Sequence, residues 1–388
     1  MKKVLVLAFV AAGLAASAAA FASNSGSSAQ ARPGAAGKGL IACGKTRTIG
    51  VLAPTTGPAA SLGLQQVKWM KHYVNGYNKA HKKTKVKLKI ADTQLGNGVT
   101  FAVAAAASLA ADPKVLATVG PAGSNEVRAT TATLKTAGLG FVSGSATNTQ
   151  IATDGTRKGY FFRTVPPDRV QSSAVANFIA KAKKWKRVYI IDDQEAYSTG
   201  LADESQAKLR SAGVTVKRDG VNQNQSDFSS VIAKIPRNYQ VVYLPWQLPP
   251  KAQAFGRQLK QAGKGNIALM GSDGLYDTAF SGLGKNVYDT MFPVNPRAKV
   301  VKSYKKAHKG VGDFFGAPSF AATQVIAGAL DRACKNKTAT RTEVRSQLKR
   351  TRIRGSVLGL PIKFDKNGDL RGGSFGVYKS DGKNFQPV

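Results

Sequence analysis

Five short polar loops, each directly behind a short apolar run, carry the residue types that could hold a charged small molecule. They are Pro54-Thr55-Thr56-Gly57-Pro58, Pro121-Ala122-Gly123-Ser124-Asn125 and Gly144-Ser145-Ala146-Thr147-Asn148 in the first half of the chain. Asp193-Gln194-Glu195-Ala196-Tyr197 and Gly271-Ser272-Asp273-Gly274 follow in the second half. Ser124 stands where a helix N-cap is expected, and a hydroxyl beside free backbone N–H groups at a helix start forms an anion site. Asp273 is a lone carboxylate in the opposite half, suited to a cation. Together the two describe a gap shaped for a zwitterion. Each loop alone says little, because turn residues follow strands in any α/β protein.

Catalytic signatures are scarce. The chain has no G-x-G-x-x-G, no Walker A loop and no H-E-x-x-H. Gly372-Gly373-Ser374-Phe375-Gly376 matches G-x-S-x-G, but a nucleophile elbow needs an Asp and a His later in the chain. Only twelve residues follow Gly376, and none is histidine. His72, His81 and His308 each neighbour a lysine and read as solvated positions. The 57 Lys and Arg against 21 Asp and Glu give a net charge of +36. They are spread over His81–Lys89, Lys181–Arg187, Lys299–Lys309 and Arg345–Arg354, with Trp185 and Tyr304 as isolated aromatics among them. A nucleic-acid protein concentrates such charge on one face with interleaved aromatics or a recognised motif. No nucleic-acid partner is therefore expected. Weak contact with anionic envelope polymers is the alternative use for the charge.

The elements that must position the five loops alternate. Thr46–Ala53 reads as a strand and Ser61–Lys79 as a helix. Lys85–Ile90 alternates apolar and charged residues, the mark of a strand with one wet face. Helix 98–111, strand Val115–Gly120, helix Ser124–Ala137 and strand Leu139–Ser143 follow. After Tyr160–Val165 and Pro166-Pro167 the theme repeats: helix 168–184, strand Arg187–Asp192, helix 198–212, strand Val214–Arg218, helix 227–235, strand Gln240–Pro245, helix 250–262 and strand Asn266–Met270. Helix 316–335 and a strand-rich tail over 356–378 close the chain. Such alternation predicts an α/β fold with parallel sheets and helices on both faces. At about 150 residues per domain, 388 residues and 43% hydrophobic content fit two lobes.

Residues 1–22 read as an export signal: Lys2 and Lys3, an apolar run from Val4 to Leu14, then Ala20-Phe21-Ala22. Residues 23–44, rich in Ser, Gly and Ala, read as a flexible linker. Leu40-Ile41-Ala42-Cys43 resembles a lipoprotein box but lies too far beyond the apolar run to be processed as one. The chain is thus expected outside the cytoplasmic membrane, in the periplasm or cell envelope. In such an oxidising compartment Cys43 and Cys334 are candidates for one bridge, subject to a geometry that sequence does not give.

In order and spacing these segments resemble type I periplasmic binding proteins, specifically the leucine/isoleucine/valine-binding group that serves ABC importers. The resemblance covers about residues 46–380. It is carried by Ile49–Pro58 with Thr-Gly-Pro, Val119–Asn125, Val142–Asn148 with Ser-Ala-Thr-Asn, Ile190–Ala202, Met270–Gly274 and Phe364–Tyr378 with Phe-Asp-x-x-Gly-Asp-Leu. It implies two Rossmann-like, doubly wound lobes joined by a three-strand hinge, with crossings near 163–168, 292–297 and 354–360. Lobe 1 would comprise 45–165 plus 295–356, and lobe 2 166–294 plus 357–388. It further implies that Ser124 and the backbone of Ala146 and Thr147 hold a ligand α-carboxylate. Tyr197 would cover the ligand and Asp273 would pair with its ammonium group. Leu62 replaces the family's bulky aromatic in the first loop, and the second-lobe aromatic falls among Trp246, Gln247 and Leu248. The implied protein is a monomer without cofactor or catalysis. It would bind an amino acid, branched-chain or related, and deliver it to an ABC permease driven by a separate ATPase. A sensory module for small amides or amino acids would share the same features; a basic polyanion binder and a secreted hydrolase are more distant readings.

Overall fold

The computed structural model describes residues 40–293, 295, 298–308 and 314–388. The export signal and residues 23–39 of the expected linker lie outside the described residues. The last residues assigned to that linker are ordered. Strand β1, Ile41–Ala42, pairs antiparallel with Thr338–Ala339, and Cys43 is bonded to Cys334. The short apolar Ile41-Ala42 segment finds a strand partner there, which composition alone did not signal.

The first sheet is built from β2 (Thr46–Ala53), β3 (Lys85–Asp92), β4 (Val115–Val119), β5 (Gly140–Ser143) and β6 (Phe161–Arg163). All its pairings are parallel, in the order β3-β2-β4-β5-β6. Alternation along β2 splits the interior. Ile49, Val51 and Ala53 pack with Trp69 and Val325 in one cluster, while Leu52 joins Leu109 and Phe141 in another. A sheet buried on both faces is what parallel βαβ units require.

The second sheet holds β7 (Arg187–Asp192), β8 (Thr215–Gly220), β9 (Val241–Leu244), β10 (Ala268–Gly271) and β11 (Val287–Met291). With β12 assigned to Thr338–Ala339, its remaining strands are β13 (Gly376–Ser380) and β14 (Phe385–Pro387). The order is β14-β13-β11-β10-β9-β7-β8, with only β13 and β14 antiparallel. Tyr189, Ile191, Val242 and Leu244 face one cluster and Val188, Ile190, Val241 and Tyr243 the other. In each sheet the strand order reverses beside its first strand, so each has a crevice at the carboxyl end where ligands bind.

The chain passes between the sheets three times. The first passage runs from Arg163 to Asp168 and the second from Met291 to Lys299. The third differs from the expected 354–360. Val357, Leu358, Ile362 and Leu370 are buried in the first lobe's core, and Arg163 N–H donates to Gly368 O at 3.0 Å. Residues 353–370 therefore extend the first lobe, and the crossing lies at 371–375. Gly372 and Gly373 turn there with φ of +74° and +117°, a region that favours glycine. The expected boundary at 356/357 moves accordingly, because apolar residues between 357 and 370 are recruited by the nearer core. Arg163, fully buried, pairs with Asp369 at 2.7 Å, and Arg169 reaches the same carboxylate at 2.8 Å. This cluster ties Arg163 of the first passage, and Arg169 just beyond it, to the segment that leads into the third.

Candidate functional site

A cavity lies where the carboxyl ends of the two sheets meet. Leu62, Leu95, Ala122, Gly123, Ser124, Ser145 and Phe315 line one side, and Tyr197, Gln247, Asp273 and Gly274 the other. Its volume is about 20 Å³, little more than one water needs, so a ligand enters only when the lobes part.

Helix Ser124–Thr136 starts at the cavity wall. Gly123 rather than Ser124 is its N-cap; Glu126 at the third helical position accepts the Gly123 N–H at 2.9 Å and does the capping. Burial pushes the Glu126 carboxyl up to about 7, while hydrogen bonds from the loop oppose that shift. Relieved of capping, the Ser124 hydroxyl accepts the Asn148 N–H at 3.2 Å and keeps its own proton for a partner in the cavity. Ser145 is committed elsewhere: it donates to Ala122 O and accepts from Gln66 Nε2, both at 2.8 Å.

Across the cavity stands Asp273, 2% exposed, in a short 3₁₀ turn after β10. Its Oδ1 accepts from Tyr197 Oη at 2.7 Å and Gln171 Nε2 at 2.8 Å. Burial pushes its pKa up to about 6, and those two hydrogen bonds hold it from rising further. Asp168 and Asp289 are also fully buried, and burial together with the Asp273 charge raises both well above the carboxylate range. Those two carboxyls are therefore held in the neutral form, and Asp273, the one of the three that lines the cavity, is the carboxylate a cation there would meet.

The structure brings Leu62, Ser124, Tyr197 and Asp273 to the cavity. Ala146 and Thr147 stand behind it. The Ala146 N–H already donates to Ser143 Oγ at 3.0 Å, and the Thr147 hydroxyl lies beside the Asp168 carboxyl. Trp246 corrects the expected second-lobe aromatic: its indole packs with Phe228 and Phe255 and donates to Ile191 O at 2.7 Å, inside the lobe's core. The neighbouring Gln247 takes the cavity position. Sequence reasoning also passed over Leu95, Ser145, Phe315 and Gln171. Ser145 sat in a loop already singled out, whereas Phe315 comes from a segment with no strand-end signal.

The lobes also touch directly. Asn148 Nδ2 donates to Ala196 O at 2.7 Å and Asn125 Nδ2 to Glu195 Oε2 at 3.1 Å. Leu248 packs with Ala59 and Leu95 across the junction.

Two doubly wound lobes with a site between their switch points are matched by a family model described as periplasmic binding protein, over residues 46–381. The chain belongs to that family. Among curated members it is 31% identical over 361 residues to Leu/Ile/Val-binding protein homolog 3 of Brucella melitensis, covering 87% of this chain and 92% of the relative. Among solved periplasmic binding proteins, the leucine-binding protein LivK of Thermotoga maritima superposes with a TM-score of 0.79 at 24% identity, over 88% of this chain and 97% of the other. LivJ of Streptococcus pneumoniae, solved with isoleucine, gives 0.75 at 20% identity, over 89% and 100%. At these identities the structural matches speak to fold, which agrees with the two lobes described above.

Proposed function

We propose that this chain is the exported solute-binding component of an ABC importer, that it holds a small α-amino acid between its lobes, and that it catalyses no reaction itself. The observation that carries this is the opposition of Asp273 and Ser124 across one closed cavity. The ligand ammonium pairs with Asp273, whose carboxylate is aimed by Tyr197 and Gln171. The α-carboxylate takes the Ser124 hydroxyl and the N-terminus of its helix, where the helix dipole favours negative charge. Hydrogen bonds to charged groups of this kind contribute roughly 1.5–3 kcal/mol each. Ala146 and Thr147 support the carboxylate loop from behind, while Leu62 faces the ligand's side chain. Closure over the ligand presents a surface to a membrane permease, with ATP hydrolysis supplied by a separate subunit. Relatives carrying Leu/Ile/Val-binding names support the ligand class, and the leader-like residues 1–22 with the Cys43–Cys334 bridge support export to the periplasm or envelope.

The test is a thermal-shift screen of the purified mature chain against amino acids, small amides, short peptides and related carboxylates. Binding to the folded state alone raises the melting temperature with ligand concentration. An α-amino acid that shifts it supports the reading. A panel in which only non-zwitterionic compounds do so overturns it.

A further inference from the structure

Gln247 occupies an unusual position in the cavity wall. It lies between two anchors: Trp246 is fixed in the second lobe's core through its bond to Ile191 O, and Leu248 is buried against Ala59 and Leu95 of the first lobe. A Cβ at Gly274 would stand 2.7 Å from the Gln247 Cα, so glycine there lets the two loops seat against each other. In the closed form the side chain is thereby held at the cavity wall. It is 5% exposed, and its Nε2 is buried with no hydrogen-bond partner among the described residues. The apolar side chains that line the cavity with it, Leu62, Leu95 and Phe315, offer no acceptor.

A buried amide donor left unmatched is unfavourable, and a binding site is where a ligand can supply the missing acceptor. We propose that Gln247 is a specificity residue that reads an oxygen on the ligand's side chain, so that the preferred ligand is a neutral amino acid bearing a hydroxyl or carboxamide rather than a purely aliphatic one. An acidic side chain is disfavoured because it would share the closed cavity with the Asp273 carboxylate. This inference rests on the reading of the cleft as an α-amino-acid site and narrows the side chain that site accepts. A site that hydrogen-bonds a ligand group discriminates strongly against the shape-matched analogue lacking it.

The experiment is calorimetric titration of the mature protein with two shape-matched pairs, L-threonine against L-valine and L-asparagine against L-leucine. Wild type, Gln247→Leu and Gln247→Met are compared, with unliganded melting as the check on folding. The expected result is a preference of about tenfold or more for the oxygen-bearing member of at least one pair in wild type, lost or inverted in both variants. Equal or tighter wild-type binding of valine and leucine would overturn the assignment, and that ratio decides even where a variant fails to fold. A preference that survives both folded substitutions overturns it as well. Absence of binding by any α-amino acid, with a shift by another ligand class, sinks the amino-acid reading itself and is thereby told apart.

Discussion

Gly200 lies in helix Ala196–Ser211, where glycine is a poor helix former, yet its place at the lobe junction explains it. A Cβ there would stand 2.1 Å from Asn148 Nδ2, the atom that donates across the junction to Ala196 O. Gly200→Ala therefore acts with opposite signs on two measurable quantities. In the open form there is no clash, and alanine in a helix interior stabilises the unliganded protein by up to about 1 kcal/mol. In the closed form the Asn148 amide must swing away, which forfeits a hydrogen bond worth about 1 kcal/mol and leaves the buried Asn148 N–H without its partner at a further cost of about 1–3 kcal/mol. Part of that strain is relieved because the obstructing atom is a side-chain tip. A net closing penalty of about 1–3 kcal/mol corresponds to a roughly 5- to 150-fold weaker apparent affinity, since affinity scales with the population of the binding-competent form. Calorimetry on wild type and variant, beside unliganded denaturant unfolding, reads both effects. Asn148→Ala on the Gly200→Ala background should recover the part due to the clash. An unchanged Kd, or a variant less stable than wild type without ligand, would refute the assignment of this contact to closure.

Other outcomes follow from the same geometry. Asp273→Asn should leave the ligand's ammonium buried and unpaired, weakening binding by about 3–5 kcal/mol in a titration while the protein still folds. With the Asp273 pKa at about 6, affinity should fall below that pH by up to tenfold per unit, because a protonated carboxyl no longer pairs with ammonium. The stability trend of the unliganded protein has a defined sign too. A carboxyl raised from 3.8 to about 6 on folding, as for Asp193 within the second lobe, makes the folded state the better proton binder between those values, so stability falls as pH rises through that window. A pH series of urea denaturations checks this. Arg341, fully buried, donates to the carbonyls of Ala110, Asp112, Val115 and Ala137. Arg341→Met should strand several of them and cost about 3 kcal/mol or more in denaturant unfolding, with ligand affinity little altered because the site lies at the opposite end of the strands.

Much of this arrangement was legible because its signals are local. Apolar runs placed β2 and β7, alternation placed β3, and strand-end loops pointed to Ser124, Tyr197 and Asp273. Strand β11 was missed because Val287-Tyr-Asp-Thr-Met291 contains Asp289, a carboxyl that reads as surface and is fully buried. The helix begins at Ser124 as expected, but its N-cap was placed one residue late because Ser124 is the better N-cap by type, while Glu126 performs that role from within the helix. Trp246 was expected at the ligand because the resemblance implies an aromatic after β9, and only tertiary packing shows that its neighbour Gln247 lines the cavity instead. The third crossing was set by which core the residues from Val357 to Leu370 join, a competition between two distant surfaces that no local pattern records.

The most direct measurement is solution scattering of the mature chain, alone and saturated with whichever amino acid raises its melting temperature. The structure predicts a smaller radius of gyration on saturation, with Gly200→Ala needing more ligand to reach it. An identical radius with and without a ligand shown by calorimetry to be bound would contradict the closing of two lobes on their guest.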